Sequence, residues 1–218
     1  MSIASVITQL HSELPSTVKL VAVSKFKPVE DIMAAYEAGQ RAFGENRPQE
    51  LAAKAKALPA DIEWHFIGHL QTNKLKMVLP YATLIESVDS EHLLEEIDRA
   101  ARLSGRTADI LLEVHIAAEQ TKQGFTPGEA LALTRRIDDF PGVRLRGVMG
   151  MATFTDDQDE VRREFRLLKD ISTQLQAICP GCDQVSMGMS EDWRIAVEEG
   201  TTIVRIGSAI FGERNYTK

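Results

Sequence analysis

The chain has 218 residues, 44% of them hydrophobic, and its 25 Lys and Arg against 32 Asp and Glu give a formal charge of −7. One sizeable core fits that length, and no Pro/Gly/Ser-rich linker or low-complexity tract divides it, so residues 1–218 are expected to form a single domain. The acidic balance and the charges mixed along the helices exclude the basic stripe of a nucleic-acid binder. No apolar run approaches the roughly 20 residues of a membrane span. The N-terminus lacks the basic start and apolar stretch of a signal peptide, and a cytoplasmic protein is expected.

Ile3, Val6, Ile7, Leu10 and Leu14 fall at helical spacing, predicting an N-terminal amphipathic helix that ends before Pro15. Strand-like and helix-like segments then alternate. The predicted strands are Leu20–Ser24, Arg41–Gly44, Trp64–Ile67, Leu84–Val88, Ile110–Ile116, Leu145–Met149, Gln184–Met187 and Thr202–Ile206. Between them, Ser90 can cap a helix with Leu93, Ile97, Ala100 and Ala101 on one face, stopping near Gly105. After Asp157, the residues Val161, Phe165, Leu168, Ile171, Leu175 and Ile178 recur every three or four positions. Eight βα repeats in about 200 residues predict a (β/α)8 TIM-type barrel with an extra N-terminal helix. A doubly wound dinucleotide fold fits less well, because no two glycines stand two apart.

In such a barrel the loops after the strands carry function. The first strand delivers Lys25, which can either pair with a carboxylate or, as a desolvated neutral amine, form a Schiff base with a carbonyl cofactor. The loops Ser186–Ser190 and Gly207–Gly212 combine small residues with hydroxyl donors, as a phosphate site needs. A nucleotide P-loop is excluded, since Glu213 stands where its lysine should be. Arg205 is charged within an apolar strand and requires a partner. A buried carboxylate such as Glu86 or Glu113 would serve, and so would the nitrogen of a pyridine ring. Together, an amine on strand one, phosphate donors after strands seven and eight, and Arg205 describe a pyridoxal phosphate site.

Other residues point to less. His65 and His69 have metalloprotease spacing without the glutamate, and are read as polar residues of the barrel mouth. His11, His92 and His115 are read as surface or structural. Asn46 either faces the mouth or caps the helix that starts at Arg47-Pro48. Cys179 and Cys182 bracket a Pro-Gly turn where a helix stops, which favours two reduced thiols over a redox pair.

The segments VAVSKFKP (21–28), FGENRPQE (43–50), WHFIGHLQTNK (64–74), TKQG (121–124), LRGVMGM (145–151), VSMGMSED (185–192) and VRIGSAIFGER (204–214) resemble the YggS-type (PROSC-like) pyridoxal-phosphate-homeostasis proteins. The resemblance spans about Val18 to Gly212. It implies a barrel similar to the N-terminal domain of alanine racemases, with pyridoxal 5'-phosphate held as an internal aldimine on Lys25. It further implies that Ser186, Gly207 and Ser208 hold the phosphate, that Arg205 faces the ring nitrogen, that Asn46 lines the pocket, and that Lys122 assists cofactor loading. Many members have Tyr-Val at Arg47-Pro48, Pro at His69 and Thr at Ser208. The implied role is buffering or delivering the cofactor, with PLP-dependent apoenzymes as possible recipients, by a monomer without robust catalysis. Two rivals are an amino-acid racemase, for which the short tail after Gly212 offers only Tyr216 as a second base, and a phosphosugar aldolase.

Overall fold

The structure is a computed structural model that describes residues 2–118 and 123–212. The first helix, α1 (Ile3–Glu13), starts where the Ser2 side chain accepts from the Ser5 amide and ends just before Pro15, as the spacing predicts. Eight strands follow, β1 (Lys19–Val23), β2 (Ala42–Glu45), β3 (Glu63–Phe66), β4 (Ala82–Val88), β5 (Ala108–Glu113), β6 (Val143–Met149), β7 (Gln184–Ser186) and β8 (Ile203–Ile206). They pair in parallel in chain order, and β8 returns to β1 through Val21↔Arg205 and its neighbours, closing the barrel. Each predicted strand is present, with ends displaced by no more than three residues.

The helices outside the barrel are α2 (Val29–Glu37), α3 (Pro48–Ala57), α4 (Leu75–Val78), α5 (Glu91–Leu103), α6 (Pro127–Thr134), α7 (Gln158–Ile178), α8 (Trp193–Glu198) and α9 (Ser208–Phe211). Ser90 caps α5 by accepting from the Leu93 amide, and Asp157 caps α7 by accepting from the amides of Asp159 and Glu160. Along α7, Val161, Phe165, Leu168, Ile171 and Leu175 are buried against the sheet. Among the described residues, no helix is long and apolar enough to cross a membrane.

Strand residues alternate between two apolar clusters. Val21, Ala42, Leu84, Leu111, Met149 and Ile203 come from six strands and pack together in the lumen. Leu20, Ala22, Phe43, Ile85, Leu112, Val148 and Val204 face the helices. The pairing of β5 with β6 shifts register between Ile110 and Leu111. Opposite that shift, Gly147 has φ +148° and a Cβ there would lie 1.8 Å from the Gln184 carbonyl oxygen, so no other residue fits.

Candidate functional site at the carboxyl ends of the strands

The alternation decides what enters the barrel mouth. Val21 faces the lumen and the ladder continues past β1 through the Ser24 amide, which donates to the Gly44 carbonyl at 3.0 Å. Ser24 is buried on the helix side of the strand, and Lys25 follows it as the first residue of the turn at the carboxyl end of β1. On β2 the inward residues Ala42 and Gly44 are followed by Asn46 on the same side. Asn46 does not cap α3: the cap position is Arg47, which makes no side-chain capping bond. Gly68 packs against Asn46 so closely that a Cβ on it would lie 2.4 Å from the Asn46 carbonyl oxygen, which fixes the asparagine backbone. The Asn46 Oδ1 atom is buried and has no hydrogen-bond partner among the described residues.

On the other side of β1 lies the loop after β8. A Cβ on Gly207 would stand 3.2 Å from Val23 Cβ and 3.3 Å from Val23 O, so only a small residue lets this loop approach the strand that carries Lys25. The amides of Gly207 and Ala209 both point at one hydroxyl, Ser190 Oγ, each at 3.4 Å. Ser208 is exposed beside them.

That hydroxyl is not the one singled out from the sequence. Ser186 is fully buried; its Oγ donates to Glu86 Oε2 and accepts from Arg205 Nη1, both at 2.5 Å. The hydroxyl expected to serve a phosphate is thus engaged within a charged network. Ser190, four residues on, is the hydroxyl that meets the amides of Gly207 and Ala209. The signal was present in the sequence, since both serines bound the same loop, and alternation turns the first into the barrel.

Arg205 has the carboxylate partner that its burial requires. Nη1 lies 3.8 Å from Glu86 Oε2, and Nη2 donates to the Gly150 carbonyl at 3.1 Å. His65 Nδ1 meets the other Glu86 oxygen at 2.5 Å. Burial pushes the Glu86 carboxyl up, but His65, Arg205 and Ser186 together outweigh it and hold the group below its usual range. His65 is thus an interior residue, not the mouth residue expected. It also lines a cavity of about 330 Å³ at the amino-terminal floor with Thr17, Lys19, Arg146 and Gln184, at the far end from Lys25. His69 is at the rim, 3.0 Å from Asp89. Glu113, at the end of β5, is raised to about 7 by burial and by Asp89, against the opposing pull of Arg205 and His69.

Of the other residues, Lys27 donates to the carbonyls of Phe211 at 2.7 Å and Gly212 at 3.3 Å, so its amine is engaged at the end of α9. Lys122, Glu213 and Tyr216 lie outside the described residues. Among the described residues no group of His, Cys, Asp and Glu could hold a metal ion. Cys179 and Cys182 are free thiols, and burial, then its neighbour Cys179, pushes the Cys182 thiol far above its ordinary range.

The mouth therefore combines a lysine at the end of β1, a buried amide oxygen lacking a partner among the described residues, two main-chain amides converging beside small residues, and a charge-compensated arginine. Those are the donors and acceptors that a phosphorylated aldehyde with a heteroaromatic ring requires. Comparison with known proteins agrees. The alanine racemase N-terminal domain family matches residues 2–215. The pyridoxal phosphate homeostasis protein of Haemophilus influenzae is 38% identical over 207 residues, 93% of this chain and 87% of its own. The human protein of that name is 40% identical over 215 residues, 92% of this chain and 78% of its own. PipY of Synechococcus elongatus, solved with PLP bound, superposes with a TM-score of 0.88 at 37% identity, covering 97% of this chain and all of that one. An alanine racemase of Clostridium difficile shares the fold, with a TM-score of 0.83 at 14% identity, but this chain covers 58% of it. The chain belongs to the alanine racemase N-terminal domain family and, within it, to the pyridoxal phosphate homeostasis proteins.

Proposed function

We propose that this barrel binds pyridoxal 5'-phosphate at its carboxyl-terminal mouth and serves cofactor homeostasis, buffering or delivering the cofactor rather than running a reaction with it. The observation that carries the reading is the buried Asn46 Oδ1, partnerless among the described residues, which shares one mouth with Lys25 and with the converging amides of Gly207 and Ala209. A buried acceptor with no donor costs on the order of 1–3 kcal/mol, and a ligand hydroxyl or protonated ring group would offset that cost.

When bound, the cofactor supplies an aldehyde carbon to which a neutral lysine amine can add with loss of water. Lys25 is the residue for that attachment, because Lys27 is tied to α9. Gly207, Ser208 and Ser190 take the phosphate, in a charge-assisted contact roughly twice as strong as a neutral one. Arg205 faces the ring nitrogen. Arginine stays protonated, and it is already compensated by Glu86 and Ser186, so it donates a hydrogen bond to the ring without giving it a proton. That leaves the ring a poor electron sink, which favours storage over racemisation. Cytoplasmic location, a monomer and transfer to PLP-dependent apoenzymes complete the reading.

The test is the visible spectrum of purified protein titrated with pyridoxal 5'-phosphate and with pyridoxal. The reading predicts a new visible band that borohydride removes, and affinity at least about tenfold weaker without the phosphate, for charge-assisted contacts of 1.5–3 kcal/mol. A lysine aldolase would show no visible band. Equal affinity for the two compounds would remove the phosphate loop from the site.

A further inference from the structure

On the outer wall behind Lys25, the side chains turned away from the lumen form a second polar cluster that the cofactor would not touch. Ser24 and Glu45 face α3, and the buried Lys54 ammonium reaches in between them. It donates to the Ser24 carbonyl at 2.9 Å, to Glu45 Oε1 at 2.8 Å and to Glu50 Oε2 at 3.1 Å, which uses all three of its protons. Ser24 Oγ donates to the same Glu45 oxygen at 2.6 Å. One turn before Lys54 on α3, Glu50 Oε2 accepts from the Phe26 amide at 2.8 Å.

The residue between those anchored neighbours is Lys25. The turn that bears it is closed by the Lys27 amide on the Ser24 carbonyl at 3.0 Å, and it passes through Phe26 at φ +63°, in the left-handed region that a bulky side chain rarely adopts. Such a conformation persists only where its surroundings hold it. Here the carbonyl before Lys25 and the amide after it are both held by charged groups from one helix. Stability alone is a weak reason for such a cluster. A buried ion pair is often matched or bettered by apolar residues, and Glu45 Oε2 is left buried without a partner among the described residues.

We propose that Lys54 and Glu50, with Glu45 as the counter-charge, are positioning residues that clamp the Ser24–Phe26 turn and so aim the Lys25 amine into the barrel mouth. They act through the backbone on covalent attachment of the cofactor and leave its phosphate contacts alone. The inference rests on the reading of Lys25 given above.

The experiment compares wild type, Glu50→Gln and the double variant Lys54→Met/Glu45→Gln, using pyridoxal 5'-phosphate and pyridoxine 5'-phosphate, whose alcohol cannot attach to an amine. Losing one or two charged contacts should weaken pyridoxal 5'-phosphate binding by about tenfold and lower the fraction that borohydride traps on Lys25. Affinity for pyridoxine 5'-phosphate should stay within about twofold, since its phosphate contacts are kept. Parallel loss of both ligands, or undiminished trapping in the variants, would overturn the clamp. If the double variant fails to fold, Glu50→Gln decides alone, because it keeps the Lys54–Glu45 pair and removes the charge that holds the Phe26 amide. Absence of trapping on Lys25 in wild type would overturn the cofactor reading instead.

Discussion

The serines at the end of β7 and in the loop after it offer a sharp separation of cofactor binding from barrel integrity. Ser190 Oγ sits 3.4 Å from the amides of Gly207 and Ala209, long contacts that a phosphate oxygen would readily displace or share. A hydrogen bond to a charged group is worth about 1.5–3 kcal/mol. Ser190→Ala should then weaken pyridoxal 5'-phosphate binding by about 10- to 150-fold, at 1.4 kcal/mol per tenfold. Its melting temperature should hardly move, because a partly exposed loop hydroxyl contributes about 0.5 kcal/mol or less. Ser186→Ala acts on the barrel instead, since Glu86 Oε2 and Arg205 Nη1 both lose a 2.5 Å partner inside a fully buried network. That should cost about 2 kcal/mol, or about 4–8 °C in a chain of this size, with a smaller loss of affinity. Spectroscopic titration and calorimetry on the two variants measure both quantities. The assignment fails if Ser190→Ala binds like wild type while Ser186→Ala loses affinity without losing stability.

Further predictions concern charge, thiols and catalysis. Glu113 is held at about 7 in the fold against 4.5 as its ordinary value. The native state therefore binds the extra proton, and the associated stability is present below pH 4.5 and lost as pH rises through about 7. In ligand-free protein, Glu113→Gln should match wild type near pH 4.5 and melt higher at pH 8; equal melting curves at both pH values would refute the buried acid. Iodoacetamide on native protein should label Cys179 and spare the buried Cys182, whereas equal labelling would contradict the packing of the turn after α7. Exchange of amino-acid α-protons in deuterated water should not exceed that with free pyridoxal phosphate, on the proposal that Arg205 faces the ring nitrogen. Stereochemical inversion well above that control, abolished in Lys25→Ala, would establish a racemase.

The architecture was legible because period and punctuation agreed: the cap at Ser90, the break at Pro15 and the spacing along α7 all stand as the residues predict. Strand ends moved because pairing partners, not local composition, decide where a ladder stops. Lys19 is exposed and charged but pairs with β8, while the apolar Val114 and Ile116 lie beyond the end of β5. In the site, residue type was readable and direction was not. Ser186 and Ser190 are equivalent as hydroxyls in sequence, and His65 looks as much a rim residue as His69, until alternation in the closed barrel sends Ser186 and His65 to Glu86. The clamp on the Lys25 turn left no sequence signal of its own. Glu50 and Lys54 read as an ordinary i,i+4 pair on a helix surface, and only the closure of the barrel brings Ser24 and Phe26 against them.

The central claim is that one lysine, at the carboxyl end of β1, carries the cofactor. The direct measurement is borohydride reduction of protein loaded with pyridoxal 5'-phosphate, followed by peptide mass mapping. The account predicts the reduced pyridoxyl group on Lys25 alone, with none on Lys27, whose amine is bonded to the end of α9. Modification of Lys27 or Lys122 in place of Lys25, or full trapping in Lys25→Ala, would contradict it.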